Sequence, residues 1–215
     1  MPKVVFEGRR VINNIQNSSS LYLMKTFFTT IFAILSIISW ELYPFKTNNL
    51  MLLEFFVIGL PSFFLSLQPN KNRVQGKFLP YVLSRAIPCA IVLVLAVQST
   101  RFISAYQPDY FNNCYEEVST MIITFAGLVM LYRVCIPFNL FRTTLFIGMC
   151  ALCIAALTVL PEAFLGKGYT PLGFVPMLYI IVVVLVCVPL SGAFIKIFEK
   201  LRINKKIEDR LGNLA

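Results

Sequence analysis

The run Leu50-Met51-Leu52-Leu53-Glu54-Phe55-Phe56-Val57-Ile58-Gly59-Leu60-Pro61-Ser62-Phe63-Phe64-Leu65-Ser66-Leu67 carries one charge in its whole length. A bilayer core about 30 Å thick takes about 20 apolar residues as a helix, so the run predicts a membrane span. Two of its features exceed what an anchor needs. Glu54 lies about five residues from the expected outer end, some 7 Å deep at about 1.5 Å per residue. A charge there costs on the order of 3 kcal/mol. Gly59 and Pro61 sit mid-span, where proline removes a backbone donor and crowds the preceding turn. Carbonyls near Phe56, Val57 and Ile58 then need other partners, and broken helices of this kind coordinate cations in transporters. The plainer alternatives are a kink packed on a neighbour and a Glu54 that reaches the interface or stays protonated.

Five more stretches qualify as spans: Leu21–Trp40, Ala86–Ser104, Val118–Ile136, Thr143–Leu160 and Leu172–Ile195. The third is the weakest, with Pro88 and Arg101 near its ends. Of the 215 residues, 58% are hydrophobic and 13% charged, against about 45–50% and about 25% in soluble domains. Mean hydropathy is +0.76. The expected fold is all-α, a polytopic membrane protein with six transmembrane helices. The absence of histidine excludes His general bases, Ser-His-Asp triads and His-ligated metals. The six cysteines are scattered, five of them in or beside apolar segments, and imply no disulfide framework. Cys150 and Cys153 form a C-x-x-C expected to pack rather than bind a soft metal. The first 20 residues hold no apolar core of signal-peptide length.

Six spans place both ends on one face, and charge says which. Lys3, Arg9, Arg10, Lys71, Arg73, Lys77, Arg85, Arg133, Arg142 and the six basic residues from Lys196 to Arg210 make 15 on that face, against Lys46, Arg101 and Lys167 on the other. That asymmetry places both termini in the cytoplasm, in the cell membrane of a multi-pass protein. The net charge of +9 is therefore read as topology, with the lipid bilayer and no nucleic acid as partner. Outer loops hold Glu41, Asp109, Glu116, Glu117 and Glu162, and Trp40, Tyr43, Tyr106 and Tyr110 mark the outer boundary.

Residues 1–20 read as a cytoplasmic stalk helix running into the first span, with Val4, Gly8, Val11 and Ile15 on one narrow stripe. That stripe wants a partner the chain does not supply. Residues 21–67 form the first two transmembrane helices and the ion-site half, 68–195 the four supporting helices, and 196–215 a basic cytoplasmic tail. The tail suits anionic lipid as well as topology.

Glu7-Gly8-Arg9-Arg10-Val11-Ile12-Asn13-Asn14-Ile15 resembles the opening of the fifth transmembrane helix of P-type (E1-E2) cation-transporting ATPases, with its Gly-Arg and paired Asn. The block from Ile58 to Asn70 resembles their sixth helix, with its Gly-Leu-Pro break and Pro-Asn exit. Later spans fall where helices seven to ten would lie. The nearest likeness is to bacterial pumps of the putative calcium-exporter group. The family strings DKTGT, KGA, GDGxND and TGE do not occur in these 215 residues. The resemblance thus implies a C-terminal membrane portion of a translocase, a fragment whose start at Met1 inside a stalk suits truncation. It would hold no cofactor, ATP and Mg²⁺ serving the full pump, and would be inactive alone. Its partners would be the transported cation and the remaining membrane and cytoplasmic domains.

Residue by residue, the paired Asn bring Thr26 and Thr29 to fifth-helix ligand positions, and Gly-Leu-Pro brings Glu54 to one on the sixth. Val57 and Ile58 stand where two other sixth-helix ligands belong, and no aspartate precedes Gly59. The resemblance therefore implies at most one ion, held with fewer carboxylates than a usual calcium site. Lys25 is a candidate counter-charge to Glu54. Straight helices separate the two in depth by very roughly 10–15 Å, so a direct pair requires a kink, and inward snorkelling of Lys25 is the alternative. The rival function is a self-contained six-span channel or secondary transporter, which internal repeats would favour; none is visible.

Overall fold

The computed structural model describes residues 2–40, 43, 45–68, 78–106, 114–166, 169 and 171–212. Glu41, Pro69, Asn70, Lys71, Arg73, Lys77, Asp109, Tyr110 and Lys167 lie outside these residues, as do the side chains of Lys3 and of 201–212. The described residues contain helix and no strand. In order they are α1 (Pro2–Ile38), α2 (Thr47–Leu52), a π-helical stretch (Leu53–Gly59), α3 (Leu60–Leu67), α4 (Phe78–Tyr106), α5 (Tyr115–Cys135), α6 (Leu140–Val159), α7 (Pro161–Leu165) and α8 (Phe174–Gly212). Six segments among them are long and apolar enough to cross a bilayer: Glu7–Ile38, Asn48–Leu67, Phe78–Tyr106, Tyr115–Cys135, Leu140–Val159 and Phe174–Lys200. The chain is an all-α, multi-pass membrane protein.

Three elements differ in extent from the sequence reading. Helix α4 begins at Phe78 rather than Ala86 and runs through Pro88 without ending; packed neighbours let membrane helices absorb a proline. Helix α8 continues past Ile195 to Gly212, so the basic segment extends the last span as helix. The short α7, with a proline in its first turn, is too brief to show a period.

Helix α5 is the most enclosed, with Ile122, Ile123 and Leu131 fully buried. Gly127 lets the second span approach it. A Cβ at that position would lie 2.6 Å from Leu53 Cδ1 and 3.3 Å from both Val57 methyls. Helix α1 packs along α4 and α3, and α8 along α4 and α5. The buried threonine hydroxyls of this core turn back on their own helices, as Thr124 does to the Thr120 carbonyl at 2.8 Å. At the end of the bundle that holds the loop before α2, Phe28, Phe32, Tyr43 and Phe45 pack with ring centroids 5.6 to 5.9 Å apart. Lys46 there meets Glu116 at 2.8 Å. That carboxylate raises the Lys46 pKa above its ordinary value, through a hydrogen bond first and charge second.

The α1 stripe is exposed, with Val4 at 75%, while the polar Asn13, Asn14, Gln16 and Asn17 are buried. The polar face is thus the packed one. Asn14 on that face meets the end of α3, whose final carbonyls have no helical donors left.

Candidate functional site

The second span does not break at Gly59. Its path stays helical but widens into i→i−5 turns over Leu53–Gly59 and returns to α geometry at Leu60. The widening has a local cause. The Leu60 N–H reaches back to the Phe55 carbonyl and so does not serve Phe56. Pro61, the other helical donor position for Phe56, has no N–H. The Phe56 carbonyl therefore lacks both of its ladder partners. Gly59 fits this turn because a Cβ would sit 3.0 Å from the Glu54 carbonyl oxygen. Wide turns of this type cluster at functional sites.

Glu54 opens the same stretch, and its Oε1 accepts a charge-assisted hydrogen bond from Lys25 Nζ on α1. The depth difference expected from straight helices is closed: the two side chains meet directly. The pair is half open, with Lys25 28% and Glu54 49% exposed. Thr26 and Thr29 lie on α1 beside Lys25. Thr26 Oγ1 donates to the Tyr22 carbonyl at 3.1 Å, and Thr29 Oγ1 to those of Lys25 and Thr26 at 3.0 and 3.1 Å. Their hydroxyl protons are engaged, which leaves oxygen lone pairs outward. Val57 and Ile58 are buried, so only their main-chain oxygens can take part in ion chemistry. Among the described residues no three acidic or cysteine side chains gather to hold a metal, and all six cysteines are free thiols.

A second constellation escaped the sequence reading. Asn14 Nδ2 donates to the Ser66 and Gln68 carbonyls at 2.9 and 2.8 Å. Arg10 Nη2 donates to that of Leu67 at 3.2 Å. Arg142, buried to 5%, donates from Nε to Gln68 Oε1 at 2.8 Å and from Nη1 to the Cys135 and Pro137 carbonyls. These side chains cap the end of α3 and tie it to α1 and α6. Asn14 stood in the quoted motif, but Arg142 counted only as a topological charge.

Fold and site together define the class: a six-span α-helical membrane protein with an ion pair set into a widened helical turn. Comparison with known proteins makes that specific. No family model matches. The chain is 31% identical over 158 residues to a probable cation-transporting ATPase, exp7, of Streptococcus pneumoniae, covering 68% of this chain and 20% of that protein. It is 32% identical over 181 residues to the calcium-transporting ATPase CtpE of Mycobacterium bovis, covering 77% and 23%. To the protein of that name from Mycolicibacterium smegmatis it is 37% identical over 117 residues, covering 50% and 15%. The chain belongs with the P-type cation-transporting ATPases as a membrane-domain portion, and it spans about a fifth of the length of the first two relatives.

Proposed function

We propose that this chain supplies one wall of the ion pathway in an ATP-driven cation pump, with Glu54 as its one carboxylate ligand. The observation that carries the reading is the Lys25–Glu54 pair set at the start of the π-helical stretch. The same two elements carry the Phe56 carbonyl, which lacks its ladder donors, and the threonine oxygens of α1. A hard cation takes six to eight oxygens where it is Ca²⁺, so the missing ligands come from the rest of the pump, across the open side of Glu54. With no ion bound, the Lys25 ammonium neutralises the carboxylate. An arriving cation displaces it, and the displaced charge holds the site to a single ion.

Helix α1, one helix from Pro2 to Ile38, carries motion between the site and the ATP-driven domains. Its exposed Val4–Ile15 stripe docks on them, at the cytoplasmic end. The full pump uses ATP and Mg²⁺ there, and sits in the cell membrane with both ends of this region inside.

The test is ATP-driven uptake by the full-length pump in vesicles, comparing Ca²⁺, Mg²⁺, Mn²⁺ and K⁺. Calcium comes first because two of the relatives are named for it. Glu54→Ala is expected to cut apparent affinity at least about tenfold, the worth of one charge-assisted contact. Lys25→Ala is expected to change stoichiometry or affinity. Normal transport in both variants overturns the assignment.

A further inference from the structure

At the basic end of the bundle α4, α5 and α8 enclose a cleft of about 200 Å³. Arg85, Arg133, Lys196 and Glu199 line it over an apolar floor of Met130 and Ile195. Arg133 is held flat against α8: its Nη2 donates to the Val188 carbonyl at 2.6 Å. The slot exists because residue 192 is glycine, where a Cβ would lie 2.5 Å from that nitrogen. Arg133 Nε is buried and has no partner, so most of the guanidinium's donors remain unspent. Arg85 stacks over the Tyr81 ring at 4.6 Å, which fixes its charge at the rim. Among the described residues Arg85, Arg133 and Lys196 form no ion pair with Glu199 or any other acid.

We propose that this cleft binds the headgroup phosphate of an anionic glycerophospholipid. Two held guanidinium groups, the Lys196 ammonium and one carboxylate leave an excess of positive charge, and planar guanidinium groups match phosphate oxygens. Basic pockets between membrane helices at that level take lipid headgroups. Glu199 makes the preference narrower. It repels a headgroup with several negative charges and accepts a hydrogen bond from a hydroxyl-bearing one, so a phosphatidylglycerol type fits. The apolar floor keeps the acyl chains continuous with the bilayer.

The test is native mass spectrometry of the intact protein released from micelles containing dioleoylphosphatidylglycerol, dioleoylphosphatidylcholine or inorganic phosphate. Phosphatidylglycerol is expected to stay bound where phosphatidylcholine leaves. Arg85→Gln and Lys196→Gln are each expected to weaken retention about fivefold, at about 1 kcal/mol per cation. Both sit at the rim, and unchanged melting without lipid shows that they fold. Gly192→Ala removes no charge but pushes Arg133 out of its slot, and is expected to weaken retention as well, while Arg85→Lys retains most of it. Equal retention of the two lipids, or no loss in Arg85→Gln and Lys196→Gln, overturns the proposal. So does displacement of the lipid by millimolar phosphate, which would assign the cleft to a free anion.

Discussion

Helix α1 carries two polar constellations eleven residues apart, and they are built in opposite ways. At Asn14 the amide and its partners are enclosed: Asn14 and Gln68 are 3% exposed and Arg142 5%, and their donors end on the Ser66, Gln68, Cys135 and Pro137 carbonyls and on Gln68 Oε1. At Lys25 the charges meet but stay half open, and the neighbouring Phe56 carbonyl is left without its helical donors. The first arrangement spends polar groups on holding α1, α3 and α6 together. The second leaves them available. Buried polar groups stabilise most where their hydrogen bonds are made, and a charged pair left half in the open is free to exchange its partner.

The comparison breaks most readily at Arg142. Arg142→Ala leaves Gln68 Oε1 and two carbonyls unsatisfied inside the bundle, and about 3 kcal/mol of stability should go with it. Thermal or denaturant unfolding in a fixed detergent measures this; a loss below about 1 kcal/mol would mean that the α3 end is held by something else. Asn14→Ala removes one amide that serves two carbonyls and should cost about 2 kcal/mol by the same measurement. Neither variant should alter ion selectivity in whatever pump activity survives.

The open pair should behave in the reverse manner. In a double-mutant cycle of Lys25→Ala and Glu54→Gln, the coupling in this chain by itself is expected to stay below about 1 kcal/mol, as for exposed pairs. In the full-length pump, where the proposed pathway covers the open side, removing one partner should cost about 3 kcal/mol or more. Equal coupling in the two settings would show that nothing packs over Glu54, and the contrast between the two constellations would dissolve.

What could be seen in the sequence follows the same division. The six spans were visible because apolar runs of about 20 residues have no other stable use. Gly59 and Pro61 marked where the second span departs from α geometry, but residue identity does not say whether a helix stops or widens. That depends on whether Leu60 keeps a donor role, and it does, to Phe55. The Lys25–Glu54 contact was out of reach of straight-helix arithmetic because that arithmetic counts backbone rise alone, whereas both side chains are long enough to reach along the helices toward each other. That the polar face of α1 packs inside this bundle was hidden for a different reason. Amphipathic reasoning puts the apolar face inward, whereas α1 lies beside a helix end with unpaired carbonyls, and amides satisfy those better than valines. Of the C-x-x-C pair on α6, Cys153 is buried and Cys150 half-buried.

The smallest expected effect lies at the outer surface, where Lys46 meets Glu116 with its side chain 75% exposed. The geometry is good, but water and salt screen such a pair, so Lys46→Met should lower the melting temperature only slightly. Its pH dependence carries more information than its size. Glu116 raises the Lys46 pKa above 10.5, so the folded form holds this proton more tightly than the unfolded chain does. The contribution is therefore fully present below the unfolded value and disappears as pH rises through the folded one. Melting curves of parent and variant should keep a constant offset through neutral pH and converge above about 10.5, the unperturbed lysine range. They should also converge in about 1 M salt, where the Debye length falls to about 3 Å. An offset that survives both conditions would place the effect in packing of the Lys46 stem rather than in its charge, and would remove the Lys46–Glu116 pair from the forces joining the loop before α2 to α5.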